Sequence, residues 1–221
     1  MPADEQPCYP NSKARGTVLT LKAAGEVGFN KLVKLSSTAG DCQYATTPYD
    51  NAIGFAVFDD EREDANASEV YADNDAIRVE LLVPGQVYNL SLNYTTGVSY
   101  GEILVPSTSG EVKLGPPTRV VEETVDFASD AVTLGFPIKT LLAVYPGGST
   151  DSLLPVSSRD TVATGEVQVS SYTAGTLACY ASEGQATTYV RYIPDVTRIG
   201  IAMEAISDGD LGKVLVLPNM Q

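Results

Sequence analysis

Short stretches of alternating apolar and polar residues recur along most of the chain. They are rich in Val, Leu, Ile, Thr and Tyr and end at Gly, Pro, Asn or Asp, a pattern typical of half-buried β-strands separated by turns. The i, i+3, i+4, i+7 spacing of an amphipathic helix is missing, and residues 121–131 allow a single helical turn at most. The pattern predicts an all-β fold. The clearest predicted strands are residues 17–22, 31–35, 76–83, 86–93, 102–105 and 165–170.

An internal repeat organises this β pattern. The segment LTLKAAGEVGFNKLVK, which starts at Leu19, aligns with LSLNYTTGVSYGEILV, which starts at Leu90. The hairpin that follows is repeated 70 residues later, with Gly40 over Gly110. The next strand is repeated only 146 residues later, where the segment starting at Pro48 matches the one starting at Pro194. The change in separation indicates that about 76 residues are inserted into the second copy.

The repeat and the insertion predict three parts of the chain. Residues 17–115 and 194–221 form a duplicated β-barrel or sandwich core, because neither copy buries its apolar face alone. Residues 116–193 form an inserted small β-sandwich, since turn signals recur there about every 8 to 12 residues. Residues 1–16 contain three prolines and form an extended N-terminal arm. The candidate contacts of this arm to a neighbouring subunit are Tyr9, Pro10, Lys13 and Arg15.

Composition and charge narrow the classes of function. The 221 residues include 28 Asp and Glu, 14 Lys and Arg and no His, which gives a net charge of -14. The absence of His excludes His-dependent catalytic triads and His-anchored metal sites. The negative charge argues against nucleic acid and against an anionic membrane as partners, because both attract a positive surface. We therefore expect a protein that is not an enzyme.

Carboxylates are the remaining candidates for a metal-binding or catalytic site. Residues 59–75 hold eight of them, but their spacing lacks the pattern of a calcium-binding EF-hand loop, so a solvated loop is the preferred interpretation. Asp208 and Asp210 flank a glycine and are interpreted as turn residues. Glu122 and Glu123 are adjacent, so on a strand they point to opposite faces and do not form a glycosidase pair. No catalytic residue, metal site or cofactor is predicted.

The cysteines and the hydropathy of the chain indicate the cellular compartment in which the protein is expected. Cys8, Cys42 and Cys179 are odd in number and widely spaced, which favours free thiols in a reducing cytosol. The first residues lack the charged-then-apolar pattern of a signal peptide, and no apolar run reaches the roughly 18 residues of a membrane span. We expect a protein that is made in the cytoplasm and does not enter a membrane.

The repeated cassette resembles the capsid cement, or head-decoration, proteins of tailed phages. The similarity lies in the hairpins KLVKLSSTAGDCQYA and GEILVPSTSGEVKL, in the strands IGFAVFD and RIGIAMEA, and in a closing strand such as KVLVLP. It covers roughly residues 17–116 and 194–218. The inserted segment is similar to a second β module common in phage virion proteins, through AVTLGFPIKTLLAVY and GEVQVS.

This resemblance implies a structural protein on the outer surface of an icosahedral capsid. Its partners would be the major capsid protein and further copies of itself, often as a homotrimer. It would be made in the host cytoplasm and located in the virion, where the N-terminal arm would contact the shell or a neighbouring subunit. Two alternatives stay open: a phage tail- or baseplate-associated β protein, and a secreted β module that binds carbohydrate or Ca²⁺.

Overall fold

A computed structural model describes residues 17–57, 70–93, 97–127, 130–146, 153–157, 163–179, 188–207 and 210–217. The secondary structure of these residues consists of strands and of short 3₁₀ turns such as Thr108–Gly110, so the predicted all-β fold is confirmed. The segment for which a helical turn was the alternative contributes a strand, Val121–Val125. The part of the chain described here contains no helix that is long and apolar enough to cross a membrane.

Contacts divide the chain into two compact units. Unit 1 comprises Met1–Gly115 and Thr197–Gln221, and unit 2 comprises Pro116–Val196. Before residue 116 the strands are β1 (Val18–Ala23), β2 (Val27–Gly28), β3 (Leu32–Leu35), β4 (Asp41–Tyr44), β5 (Gly54–Val57), β6 (Val70–Tyr71), β7 (Ala76–Leu81), β8 (Val87–Ser91), β9 (Ile103–Pro106) and β10 (Val112–Leu114). After it they are β11 (Val121–Val125), β12 (Ala131–Thr133), β13 (Ile138–Tyr145), β14 (Gln168–Ser171), β15 (Thr176–Ala178), β16 (Thr188–Pro194), β17 (Gly200–Ala202) and β18 (Leu211–Val216).

Unit 1 contains two copies of one five-stranded arrangement. Repeat 1 is a closed barrel with the order β1-β4-β3-β5-β7, and repeat 2 has the order β8-β18-β17-β9-β10, which is the same cycle opened at one point. At that point a parallel bridge joins Leu92 to Val112, where repeat 1 has the parallel pair of Ala23 and Cys42. The duplicated core is therefore present in the backbone pairing itself.

Backbone pairing corrects one detail of the sequence alignment. The equivalent of Leu90 is Leu21, two residues away from the aligned Leu19. The difference arises because the connection from Leu92 to Val98 is two residues longer than its counterpart in repeat 1. A shift of two residues leaves every side chain on the same face of its strand, so the apolar pattern alone does not reveal it.

Unit 2 is a small β-sandwich, as predicted for the inserted segment. Two antiparallel sheets, β11-β16-β13 and β12-β15-β14, enclose one apolar core. Val144 and Tyr192 enter this core from the first sheet, and Leu177 enters it from the second. Strand β16 runs to Pro194, which pairs with Ile138, so the unit ends at Val196 rather than at the predicted residue 193.

Two described cysteines are buried and are not joined in a disulfide, namely Cys42 in repeat 1 and Cys179 in unit 2. Burial, with a smaller contribution from the Asp41 carboxylate, raises the pKa of Cys42 to about 11. The Cys42 thiol therefore stays protonated near neutral pH and behaves as a small core side chain. Cys8 lies outside the described residues.

The two ends of unit 1 at the insertion lie on either side of β9. Gly115 N donates a hydrogen bond to Ile103 O, and Ile199 N donates one to Leu104 O. Neighbouring strands are about 4.8 Å apart, so these two ends are separated by about 10 Å. Four extended residues span about 13 Å, which is enough to join them.

Replacing residues 116–196 with a linker of four Gly and Ser residues should therefore leave unit 1 folded, because its apolar cores are separate from the core of unit 2. Scanning calorimetry of this variant should show one cooperative transition, at the temperature of the unit 1 transition in the full chain. A product that is insoluble, or that lacks the far-ultraviolet spectrum of β-sheet, would contradict the independence of unit 1.

Candidate interaction surfaces

The predicted arm contacts lie outside the described residues: Tyr9, Pro10, Lys13 and Arg15. Residues 59–69, which make up most of the acidic stretch, lie outside them too. The described end of that stretch forms a turn, in which Asp75 Oδ2 accepts a hydrogen bond from Ala72 N at 2.9 Å. Asp73 Oδ1 accepts one from Gly25 N at 2.7 Å. These two carboxylates thus hold backbone amides, and no potential metal-binding group of His, Cys, Asp or Glu occurs among the described residues.

Glu122 and Glu123 lie on opposite faces of β11. Glu122 Oε2 is 3.5 Å from Arg191 Nε at the protein surface. Glu123 accepts hydrogen bonds from Gly135 N, at 3.0 Å, and from the hydroxyl of buried Tyr192. Burial, together with the hydrogen bond to Glu123, raises the pKa of Tyr192, so its hydroxyl keeps the proton that it donates. The Glu123–Tyr192 pair thereby fixes β11 against the sandwich core.

The two repeats of unit 1 share an apolar interface. Val33 and Ala56 fill the interior of the repeat 1 barrel, so their neighbours Leu32 and Phe55 face outward. Both outward side chains are nevertheless buried, in the cluster that forms the core of repeat 2. There the rings of Phe55 and Tyr88 meet edge to face with their centroids 5.2 Å apart. Such a pair contributes about 0.5–1.5 kcal/mol beyond the burial of its area.

Polar contacts complete the same interface. Lys31 Nζ lies 2.5 Å from Glu111 Oε1 and donates a hydrogen bond to Ser91 Oγ at 2.9 Å. Gly110 packs so closely on repeat 1 that a Cβ atom there would lie 2.6 Å from Leu32 O. Its φ of 71° also lies in the left-handed region, so glycine is required at this turn for two reasons.

We name the two sides of this interface by their residues. The receiving face of repeat 1 is a row of four residues that pair side by side across β3, β5, β7 and β1, and the first two of them belong to the shared apolar cluster. These residues are Leu32, Phe55, Glu80 and Val18. The docking edge of repeat 2 comprises Tyr88, Ser91, Gly110 and Glu111.

Repeat 2 carries the equivalent of the receiving face on its own outer surface, and we call it the apolar strip. The strip crosses β9, β17, β18 and β8, and its members pair side by side. They are Ile103, Ile201, Leu215 and Val87. The first three are half-buried and Val87 is 40% exposed, so this row of four apolar side chains is accessible to a partner.

Asp50 forms the most enclosed ion pair of repeat 1 for which both partners are described. Its Oδ1 atom lies 2.7 Å from Lys34 Nζ, and its Oδ2 atom accepts hydrogen bonds from Thr46 N and Thr47 N at 2.7 and 3.0 Å. Burial alone would raise the pKa of Asp50, but the hydrogen bonds from Lys34 and from the two threonine amides outweigh it. The pKa is consequently held below its ordinary value of 3.8.

Asp50→Asn should lower the free energy of unfolding at pH 7 by about 1.5–3 kcal/mol, because it replaces charge-assisted hydrogen bonds. A lowered pKa contributes stability that is complete above the ordinary value of 3.8 and is lost as the pH falls through the folded value. The difference between wild type and variant should therefore shrink below about pH 4. Urea unfolding between pH 7 and pH 2.5 measures it, with exposed Glu26→Gln as the control that shows little difference at pH 7. A difference that is constant with pH would exclude this role.

Sequence reasoning missed the receiving face and the apolar strip, since Leu32 and Ile103 occupy matching places in two similar segments. The unequal surroundings of Gly40 and Gly110 are visible only once the two repeats are packed. No protein-family model matches the chain, and a search of curated proteins finds no match. The surfaces are therefore interpreted from their own chemistry and from the resemblance of the repeated cassette.

Proposed function

We propose that this protein decorates and stabilises the outer surface of an icosahedral phage capsid by binding the major capsid protein. The observation that carries the proposal is that each element of the repeated sequence cassette corresponds to a strand of the two structural repeats. The hairpin of the cassette forms β3 and β4 in repeat 1 and β9 and β10 in repeat 2. The strand that follows forms β5 or β17, and the closing strand forms β7 or β18. The elements that resemble capsid cement proteins are thus the ones that build the core.

The physical properties of unit 1 support a role in surface binding. A protein that reinforces a shell acts by adding contact area between subunits, so it needs a stiff body and exposed apolar groups. The strand ladders of both repeats supply the first, and the apolar strip supplies the second. The net charge of -14 favours solubility before assembly and disfavours binding to the viral genome.

The direct test uses expanded, DNA-free heads assembled from the major capsid protein of the virus that encodes this chain. Purified protein should bind these heads saturably, with a copy number that matches one class of shell sites, and should raise the temperature at which they disrupt. A chain that begins at residue 17 should keep the melting temperature of the isolated protein but bind heads more weakly, because it lacks Tyr9, Lys13 and Arg15.

Two results would contradict the capsid role. The first is a protein that is absent from purified heads and present in purified tails, which would favour the tail or baseplate alternative. The second is calcium-dependent melting, or micromolar binding to a glycan, without any binding to heads, which would favour the secreted module. A gene for a major capsid protein or a head protease beside the gene for this chain would support the proposal before any protein is made.

A further inference from the structure

The two repeats use equivalent surfaces differently. On the receiving face of repeat 1, Leu32 and Phe55 are 0% and 3% exposed, because repeat 2 covers them. Their equivalents in the apolar strip, Ile103 and Ile201, are only half-buried. Two positions of the row that are buried in repeat 1 are therefore accessible in repeat 2.

The docking edge shows the opposite asymmetry. Its equivalents in repeat 1 are Leu19 for Tyr88, Lys22 for Ser91, Gly40 for Gly110 and Asp41 for Glu111. Leu19 is 37% exposed, whereas Tyr88 is 2% exposed. A Cβ atom at Gly40 would meet nothing within 4 Å, in contrast to the crowded position of Gly110. Repeat 1 thus exposes the edge that repeat 2 buries.

We propose that the apolar strip of one chain binds the exposed docking edge of repeat 1 in a second copy of the same chain. The contact would continue the interface between the repeats of one chain into an interface between chains. Leu19 would meet Ile201 where Tyr88 meets Phe55, so an aliphatic contact replaces an aromatic one. This association is a property of the isolated protein and does not depend on binding to a capsid.

The charges at the proposed interface differ from those of the interface within the chain. Glu102 takes the place of Lys31, and Lys22 takes the place of Ser91. Glu102 of one chain would therefore face Lys22 of the next, together with Asp41, which pairs with Lys22 across β1 and β4. Because Asp41 takes the place of Glu111, two acidic residues replace the ion pair of Lys31 with Glu111, and Lys22 would be the basic group beside both.

A head-to-tail contact leaves a free strip on the chain at one end of the assembly and a free edge on the chain at the other end. Such contacts produce a ring if the rotation closes and a longer chain of subunits if it does not. The net charge of -14 opposes self-association, so the contact should strengthen with salt. At about 1 M salt the screening length falls to about 3 Å, which makes this the most favourable condition for the experiment.

Sedimentation velocity of the full chain at about 1 M salt tests the proposal. The wild type should form species larger than a monomer as its concentration rises. Val87→Lys in the strip and Leu19→Lys in the edge should each weaken association about tenfold or more, because each places a charge in an apolar contact. Tyr172→Lys, at a 55% exposed position of unit 2, is the matched control and should associate as the wild type does.

Mixing the two variants identifies the contact as head to tail. The Val87→Lys chain keeps an intact edge and the Leu19→Lys chain keeps an intact strip, so an equimolar mixture should form a heterodimer and no larger species. A wild type that remains monomeric at every concentration would overturn the proposal, as would a Leu19→Lys variant that associates normally. Both sites are more than a third exposed, and the melting temperature of each variant verifies that it folds.

Discussion

Leu32→Ala should lower the free energy of unfolding of unit 1 by about 2–5 kcal/mol. The leucine is fully buried in the cluster that joins the two repeats, so its removal leaves a cavity that neither repeat can fill alone. The loss would be felt by both repeats, because Phe55 and Tyr88 belong to the same cluster.

Ile103→Ala is the matched control for this prediction, since Ile103 holds the same place in repeat 2. Its side chain is already partly hydrated, so truncation removes less buried area and should cost clearly less than the leucine change. Urea unfolding measures both variants, at a dilution where the wild type is monomeric. The chain has 12 Tyr and no Trp, so tyrosine fluorescence and far-ultraviolet circular dichroism are suitable probes. Equal losses in the two variants would show that repeat 2 does not cover Leu32 in solution.

The fold was predictable from the sequence because its signals are local. A strand alternates with period two, and its turns need residues such as Gly40 and Gly110, whose φ angles are 86° and 71°. Both repeats retain these signals, so the duplication and the insertion can be inferred from the amino-acid sequence alone. The sequence alignment places Leu90 opposite Leu19, whereas the structure places it opposite Leu21. This two-residue difference could not be inferred from the sequence, because it leaves every side chain on the same face of its strand.

The interaction surfaces were not predictable for a different physical reason. Leu32 and Ile103 are both outward-facing aliphatic residues at equivalent places, and only the packing of one repeat on the other distinguishes them. The end of the insertion was similarly hidden. Pro194 reads as the start of a repeated segment, but it is the last residue of β16 and pairs with Ile138 of unit 2.

The way the repeats pack determines what the molecule can bind. Two copies related by a two-fold axis would bury the same row in both repeats, and no equivalent surface would remain open. Here an edge of repeat 2 covers a face of repeat 1, so the pairing is heterologous. One apolar strip and one edge remain accessible as a consequence, and both are available for contacts in an assembly.

Gly54→Ala should destabilise unit 1 by about 3 kcal/mol, near the upper end of the usual cost of overpacking. Strand β5 runs so close to β7 that a Cβ atom at residue 54 would lie 2.2 Å from Glu80 O. This oxygen belongs to the backbone of the barrel and cannot rotate away as the end of a side chain can. Gly200 is the equivalent residue of repeat 2, where a Cβ atom would lie 2.2 Å from Leu215 O, so Gly200→Ala should have a similar effect.

Gly135→Ala provides the control for both glycine variants. Its nearest obstacle is the Glu123 side-chain oxygen at 3.2 Å, which needs to move by only a few tenths of an ångström, so the change should alter stability by less than about 1 kcal/mol. Because all three changes add the same methyl group, the lost flexibility of the unfolded chain cancels in the comparison. Thermal and urea unfolding of the three variants give the result. A Gly54→Ala protein as stable as Gly135→Ala would mean that β5 and β7 are not in close contact in solution. Equal losses at residues 54 and 200 would show that the two repeats share this steric requirement as well as their strand order.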